Sequence, residues 1–301
     1  MIPRVSICIP TYNRKGYLRE TLDSVFAQTY KDYEIVIVDD GSTDGTGDLI
    51  KNAGLKNLQY HWQENQGEPV ARNKLVELAK GDYLTFIDSD DLLFPYAVEE
   101  LVKTLETYDP DTIVYSSYIG IDEMGAEVKR KKRRLPSGKI TFELFDHIDV
   151  HSCGTLCTKK ILQEAGGFDP SLPVCSPYVV WLKLSLKYKF VALERPTFKR
   201  RRHSGNLSER SFANQKIEFD VLEDFYYNGG GKEVIPRRRA MKRLSKEGYR
   251  AGRCALRERL HSTACQMLNQ SFYRYPNLKS LMWWTIATGT RFSIGNERAL
   301  G

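Results

Sequence analysis

Short apolar runs alternate with longer amphipathic runs through the first 118 residues, and few folds accommodate such an alternation. The apolar runs at 5–9, 33–38, 58–62, 83–87 and 112–118 predict five strands. The amphipathic runs at 15–28, 42–54, 69–81 and 95–106 predict the helices that connect them. Because strands joined by such helices usually pair in parallel, the sequence predicts an α/β domain built from βαβ units.

A polar cluster follows each of the first four predicted strands. The clusters read PTYNR (10–14), DDGSTD (39–44), ENQG (64–67) and DSDD (88–91). The carboxyl ends of parallel strands share one edge of a sheet, and ligands of such folds bind in the crevice outside that edge. Four polar clusters at one edge therefore predict a binding site there.

The fourth cluster carries three carboxylates, those of Asp88, Asp90 and Asp91. Acids this close repel one another and raise one another's pKa. A hard divalent cation, Mg²⁺ or Mn²⁺, would relieve the repulsion, and such an ion completes its shell with substrate phosphates. The alternative is a solvated helix N-cap, with Asp91 ahead of the helix predicted at 95–106. The three companion clusters favour a metal that carries a nucleotide diphosphate.

The companion clusters leave alternatives open. One of Asp39 and Asp40 is expected to cap the following turn, which frees the other to accept a hydrogen bond from a nucleobase. Tyr12 either packs against the domain or stacks on the base. Arg72 either pairs with an acid or reaches a phosphate with its forked guanidinium.

Charge is divided unevenly along the chain. The net charge of +7 combines −11 over residues 1–125 with +18 over the remainder. The basic second half predicts an anionic partner, either nucleic acid or an anionic membrane surface. It contains no recognised nucleic-acid-binding module, so no nucleic acid is expected. Six consecutive basic residues, 129–134, form either a solvated loop or a lid over an anionic acceptor.

Features that relate to the cell compartment point to the cytoplasm. The N-terminus has no signal-peptide pattern, and no window of about 18 apolar residues predicts a spanning helix. The six cysteines lack the paired spacing of a zinc site and are expected to be reduced. Near the C-terminus, Trp283 and Trp284 lie close to Arg274 and Lys279 in the sequence. They predict either peripheral attachment to the cytoplasmic face of the inner membrane or packing against the catalytic domain.

Five segments together resemble the signatures of family 2 glycosyltransferases with the Rossmann-like GT-A fold: SICIPTYNR, VIVDDGSTDGT, ENQGEPVARN, GDYLTFIDSDD and EAGGFDPSLPVC. The resemblance covers residues 4–205. It implies a GT-A domain over 1–210, with a nucleotide-sugar-binding half (1–118) and an acceptor-side half (119–210). A basic extension follows at 211–301, where 213–227 and 238–270 are predicted as helices.

The resemblance also implies an activity: inverting transfer of a sugar from a nucleoside-diphosphate donor to a saccharide or lipid-linked acceptor, as in the synthesis of cell-surface polysaccharides. UDP is the expected nucleotide, while GDP and TDP stay open. Carried over by position, the nucleotide-binding residues are Pro10, Thr11, Tyr12, Arg14, Asp40, Asn65, Arg72, Asp88 and Ser89. Mn²⁺ or Mg²⁺ would be held by Asp90, Asp88 and His203. For His203 the alternative is an ordinary surface residue, and His151 is expected to be structural.

The chain departs from the family at the catalytic base. Relatives read LPVCEDYDLWLR, and the aspartate of their Glu-Asp pair is the base, whereas this chain reads LPVCSPYVVWLKLS. Ser176 and Pro177 occupy the pair, and Val179 replaces the next acid. Asp169 is a weak substitute, because in the family it belongs to a structural turn. The sequence therefore predicts intact donor binding with slow or absent transfer. The alternative function is a nucleotide-sugar-binding protein without turnover.

Overall fold

The protein is described by a computed structural model over residues 3–52, 57–128, 134–146, 150–203, 205, 211–276, 279, 281–286 and 288. Of the basic run 129–134, only the last residue lies within these ranges. The chain divides into two compact units. One comprises Met1–Ile140 and Ile148–Gly205, and the other comprises Thr141–His147 and Asn206–Gly301. This division falls slightly before the predicted boundary at residue 210 and adds a short internal segment to the second unit.

The first unit contains a mixed β-sheet. Its strands are β1 (Val5–Thr11), β2 (Tyr33–Asp39), β3 (Leu58–Trp62), β4 (Tyr83–Phe86), β5 (Leu92–Leu93), β6 (Thr112–Ile121), β7 (Glu127–Val128), β8 (Thr155–Thr158) and β9 (Lys189–Arg201). They are ordered β3-β2-β1-β4-β8-β6-β9-β5, and β7 pairs with β6. The first four predicted strands pair in parallel, as expected. Their carboxyl ends therefore share one edge of the sheet.

The fifth predicted strand does not lie next to the fourth. The short strand β8 separates them and is antiparallel to both β4 and β6. The long strand β9 then pairs in parallel with β6. The fold is thus α/β as predicted, but its second half is a mixed sheet and not a further βαβ unit. The segment IDEMGAEV (121–128) forms the hairpin between β6 and β7, which pair antiparallel.

Helices cover the sheet of the first unit. They are α1 (Lys15–Phe26), α2 (Thr46–Asn52), α3 (Glu68–Leu78), α4 (Ala97–Leu105), α6 (Lys159–Glu164) and α7 (Ser176–Lys187), while α5 (Thr141–Asp146) belongs to the second unit. Leu18, Leu22 and Val25 of α1 are buried in the core against β1 and β2, as their helical spacing predicts. Pro69 lies in the first turn of α3, where its missing N–H costs no hydrogen bond.

The second unit is helical and includes α8 (Phe212–Tyr227), α9 (Gly231–Val234), α10 (Arg237–Arg257) and α11 (His261–Arg274). The single helix predicted over 238–270 is wrong, because the chain turns between α10 and α11 through Arg259, whose φ is 61°. A Cβ at Gly252 would lie 2.7 Å from Leu268 Cγ, so glycine lets α10 and α11 approach closely. No helix in the described part of the chain combines the length and apolar character needed to cross a membrane.

Gly154, just before β8, should tolerate no side chain. Its φ is +74°, and a Cβ there would lie 2.5 Å from Ser116 Oγ and 2.7 Å from Phe198 Cδ1. We expect Gly154→Ala to lower the free energy of unfolding by about 2–4 kcal/mol, the sum of backbone strain and overpacking. Gly138→Ala is the matched control, since Gly138 has a φ of +104° with nothing within 4 Å of the added Cβ. Urea denaturation of both variants measures the difference, and equal losses would contradict a packing limit at Gly154.

Candidate active site

The acidic cluster lies in the loop that follows β4, at the carboxyl edge of the parallel strands. The backbone N–H of Asp91 donates to the carbonyl of Asp88 at 3.0 Å, which folds the loop into a turn. The helix N-cap alternative is wrong, because α4 begins only at Ala97 and its N-cap residue is Tyr96. Asp91 instead points inward, where its Oδ1 accepts from the backbone N–H of Arg201 at 2.8 Å.

Asp90 and His203 are brought together, as the sequence predicts for two metal ligands. Oδ2 of Asp90 lies 2.9 Å from Nε2 of His203 and 3.7 Å from Nε of Arg14. The His203 side chain is 4% exposed and its ring stacks on Tyr17 at 4.9 Å between centroids. The alternative of an ordinary surface histidine is therefore wrong.

Asp88 is held by a buried arginine. Arg72 is 2% exposed, and its Nη2 lies 2.6 Å from Oδ1 of Asp88 while its Nε donates to Oε1 of Glu68 at 2.7 Å. Desolvation works against ionisation of Asp88, but the charge of Arg72 prevails and lowers the pKa of this carboxyl. This contact matches the acid-pairing alternative for Arg72. A direct contact between Arg72 and a phosphate stays a prediction, and the buried Nη1 of Arg72 has no hydrogen-bond partner among the described residues.

The chemistry of the donor atoms fits a divalent cation at Asp90 and His203. A carboxylate oxygen and an imidazole nitrogen in contact can both bind Mn²⁺. Ligand atoms of Asp88, Asp91 and Cys153 also lie within 4.8 Å of one another. Burial raises the pKa of Asp91 and of the Cys153 thiol well above their usual ranges, and neighbouring aspartates add to both shifts.

Asp39 and Asp40 are both engaged by the protein, which corrects the expectation that one of them is free. Asp39 accepts from Ser42 N and from the Tyr60 hydroxyl, each at 2.9 Å. Asp40 accepts from Gln63 Nε2 at 2.8 Å, Gln66 N at 3.0 Å and Gly67 N at 2.8 Å. The sequence does not show that the segment after β3 folds back onto Asp40. A carboxylate has about four acceptor positions, so Asp40, which is 3% exposed, has one position left.

The other predicted nucleotide-binding residues lie around this edge. Pro10 and Thr11 end β1, and Thr11 Oγ1 is buried with no hydrogen-bond partner among the described residues. Tyr12 is 48% exposed, so the packing alternative is wrong and its ring is available for stacking. A Cβ at Gly41 would lie 2.9 Å from the backbone N of Asn65, which places Asn65 against the turn after β2. Ser89 is buried within the acidic loop.

Arg201 is a site residue that the sequence did not single out. It is 2% exposed, and its Nε donates to the Asp90 carbonyl at 3.1 Å. Its Nη1 donates to the Glu123 carbonyl at 2.9 Å, and its Nη2 lies 2.6 Å from Oε2 of Glu20. Three arginines precede His203 in the sequence, and nothing there distinguishes the buried one. Arg201 fixes the backbone of the acidic loop.

No acid occupies the expected position of the catalytic base. Ser176 and Pro177 form the first turn of α7, and the buried Ser176 Oγ has no hydrogen-bond partner within the described ranges. Asp169 accepts from the backbone N and hydroxyl of Ser171 at 2.9 and 2.7 Å, and these hydrogen bonds lower its pKa. These contacts are those of a turn residue, which weakens Asp169 as a base. The ring of His151 packs on Tyr118 at 4.8 Å, in line with a structural role.

Solved structures share this fold. TarS of S. aureus (residues 1–349) in complex with UDP superposes with a TM-score of 0.60 at 17% identity, covering 96% of this chain and 91% of that chain. A mannosyltransferase from Pyrobaculum calidifontis in complex with GDP-Man and Mn²⁺ gives a TM-score of 0.58 at 19% identity, covering 98% and 81%. At such low identity these similarities establish the GT-A fold alone.

Sequence comparisons establish the family. An uncharacterised glycosyltransferase of Rickettsia felis is 34% identical over 227 residues, which are 73% of this chain but only 37% of that protein. Residues 6–166, more than half of the chain, match the family model described as Glycosyl transferase family 2. The protein therefore belongs to glycosyltransferase family 2.

Proposed function

We propose that the protein transfers a sugar from a nucleoside diphosphate, UDP in the first instance, to an acceptor hydroxyl with inversion and with the help of Mn²⁺ or Mg²⁺. The observation that carries the proposal is the contact between Asp90 and His203 at the carboxyl edge of β1, β2 and β4. Two proteins of the same fold have been solved with UDP and with GDP-Man and Mn²⁺, which supports a nucleotide diphosphate at this edge.

Each side chain then has a distinct task. The exposed ring of Tyr12 stacks on the base, and the remaining acceptor position of Asp40 receives a base N–H. Asp90 and His203 hold the metal, and Arg72 keeps Asp88 ionised beside them. When bound, the metal supplies positive charge against the departing diphosphate.

Calorimetry tests donor binding directly. UDP is titrated into the protein with Mn²⁺ and then with EDTA, and GDP is titrated in parallel. We expect binding of UDP that depends on Mn²⁺ and weaker binding of GDP. Equal UDP affinity with and without the metal would contradict the metal assignment. Tighter binding of GDP than of UDP would make GDP the proposed donor nucleotide.

A second candidate function is binding of nucleotide sugars with slow or no turnover. It is favoured by one observation, the presence of Pro177 where the family carries its base. Proline cannot accept a proton, and Ser176 would itself need a base. The two functions share the donor site and differ only in the rate of transfer.

We also propose that the second unit brings the enzyme to the cytoplasmic face of the membrane, where a lipid-linked acceptor would be found. Arg253 of α10 lies 4.8 Å from the ring centroid of Trp283, while Leu281, Met282 and Ile286 are 39–52% exposed. Cations beside exposed apolar side chains suit a membrane interface. Co-sedimentation with anionic vesicles should show binding at low salt that weakens at high salt, since each cation near the surface contributes about 1 kcal/mol. No binding at low salt would contradict the attachment.

A further inference from the structure

A cleft at the start of α10 is lined by positively charged side chains. Arg238, Arg239, Lys242 and Tyr275 line the cleft, whose volume is about 260 Å³. Arg238 and Arg239 lie in the first turn of α10, and Lys242 follows one turn later. Tyr275 comes from the end of α11, which packs antiparallel to α10. The cleft therefore lies within the second unit, away from the donor-site residues in sequence.

Three other arginines of these helices, Arg243, Arg250 and Arg274, are paired with acids. Arg243 binds Glu247 and Glu218, and Arg274 binds Glu223. By contrast, none of the three cleft cations has a carboxylate partner among the described residues. All three side chains are exposed, and Arg239 also lies 5.6 Å from the ring centroid of Phe142. An anion in the cleft would therefore meet cations that no carboxylate among the described residues neutralises.

The geometry of the helix end adds to the positive potential. The α10 helix begins at Arg237, after Pro236, and no side chain caps its first turn. Backbone N–H groups at a helix start carry partial positive charge and favour anions. Two guanidinium forks and one ammonium group match the several oxygens of a phosphate better than the two oxygens of a carboxylate. The volume leaves room for a phosphate together with water.

We propose that this cleft binds a phosphate group, carried either by a lipid headgroup or by a soluble phosphate compound. The cleft and the donor site belong to different units, and the proposal does not depend on the proposed transfer. If the phosphate belongs to a lipid, the cleft would supply a specific contact in addition to the general attraction of the basic second unit.

The test compares two variants that each lose three positive charges. The cleft variant is Arg238→Gln, Arg239→Gln, Lys242→Gln. The control is Lys51→Gln, Lys80→Gln, Lys189→Gln, three exposed lysines of the first unit. Inorganic pyrophosphate is titrated by calorimetry in EDTA, so that the metal-dependent donor site does not contribute. Vesicles of phosphatidylcholine with and without phosphatidylglycerol are tested by co-sedimentation. Far-UV circular dichroism and thermal unfolding report that both units of each variant are folded.

We expect the cleft variant to bind pyrophosphate about tenfold more weakly, or worse, while the control keeps the wild-type affinity. Loss of binding to phosphatidylglycerol vesicles as well would assign the cleft to a lipid headgroup. Retained vesicle binding would assign it to a soluble phosphate compound. The proposal is overturned if the wild-type protein binds neither probe, or if the control loses as much affinity as the cleft variant.

Discussion

Pro177→Asp is expected to raise the rate of sugar transfer by about 10²–10⁴-fold, the usual contribution of a general base. Position 177 is half-buried in the first turn of α7, where a carboxylate interacts favourably with the helix N-terminus. The substitution places an acid at the position where the sequence resemblance implies the catalytic base. Transfer is measured as UDP release and as product formed with a panel of donor sugars and acceptors.

Pro177→Asn is the matched control, since it has nearly the shape of aspartate but cannot take up a proton. We expect it to stay at the wild-type rate. If the wild-type chain already turns over as fast as the Pro177→Asp variant, another group supplies the base and the binding-only function is wrong. If Asn accelerates transfer as much as Asp, the gain comes from removing the proline.

Asp90→Asn should weaken Mn²⁺-dependent binding of UDP by about 100-fold, near the upper end of the loss expected when a metal site is disturbed. The variant keeps the shape of the side chain but removes the charge that faces His203 and Arg14. In EDTA the variant and the wild-type protein should bind UDP equally weakly. Calorimetry at several Mn²⁺ concentrations separates the loss of metal affinity from a loss of nucleotide affinity.

The control for this experiment is Asp23→Asn, which removes an exposed acid of α1 in the same unit. It should leave the Mn²⁺ dependence unchanged. Wild-type affinity in Asp90→Asn would rule Asp90 out as a metal ligand. The neighbouring trio of Asp88, Asp91 and Cys153 would then be the next group to test.

The parts of the fold that the sequence predicted are those with a local signal. The runs that became β1 to β4 are apolar and bounded by polar turns, and the residues of α1 repeat with helical spacing. Strand β8 has only four residues, Thr155–Thr158, and its place between β4 and β6 depends on contacts distant in the sequence. The sequence gives no sign of the turn at Arg259, because neither glycine nor proline marks it.

The candidate site, like the fold, was predictable only where the sequence carries a local signal. Acidic residues at the strand ends indicated the carboxyl edge, because their close spacing, which implies repulsion, can be read from the sequence. The partners of these acids were not visible. The sequence allows two roles for Arg72 and gives no sign that Gln63 contacts Asp40, because a hydrogen bond between residues 23 positions apart depends on how the loops fold. The structure supplied these contacts and with them the orientation of the carboxylates.

The hydrogen bonds that reach the acidic loop from Arg201 and His203 span 110 and 113 residues. During synthesis, the four strand-end motifs emerge first, and the acids of the loop have no such partners until the end of β9 has left the ribosome. A fragment limited to residues 6–166 would contain every one of these motifs but neither Arg201 nor His203. The shortest fragment able to keep the loop in its observed shape therefore extends through residue 203.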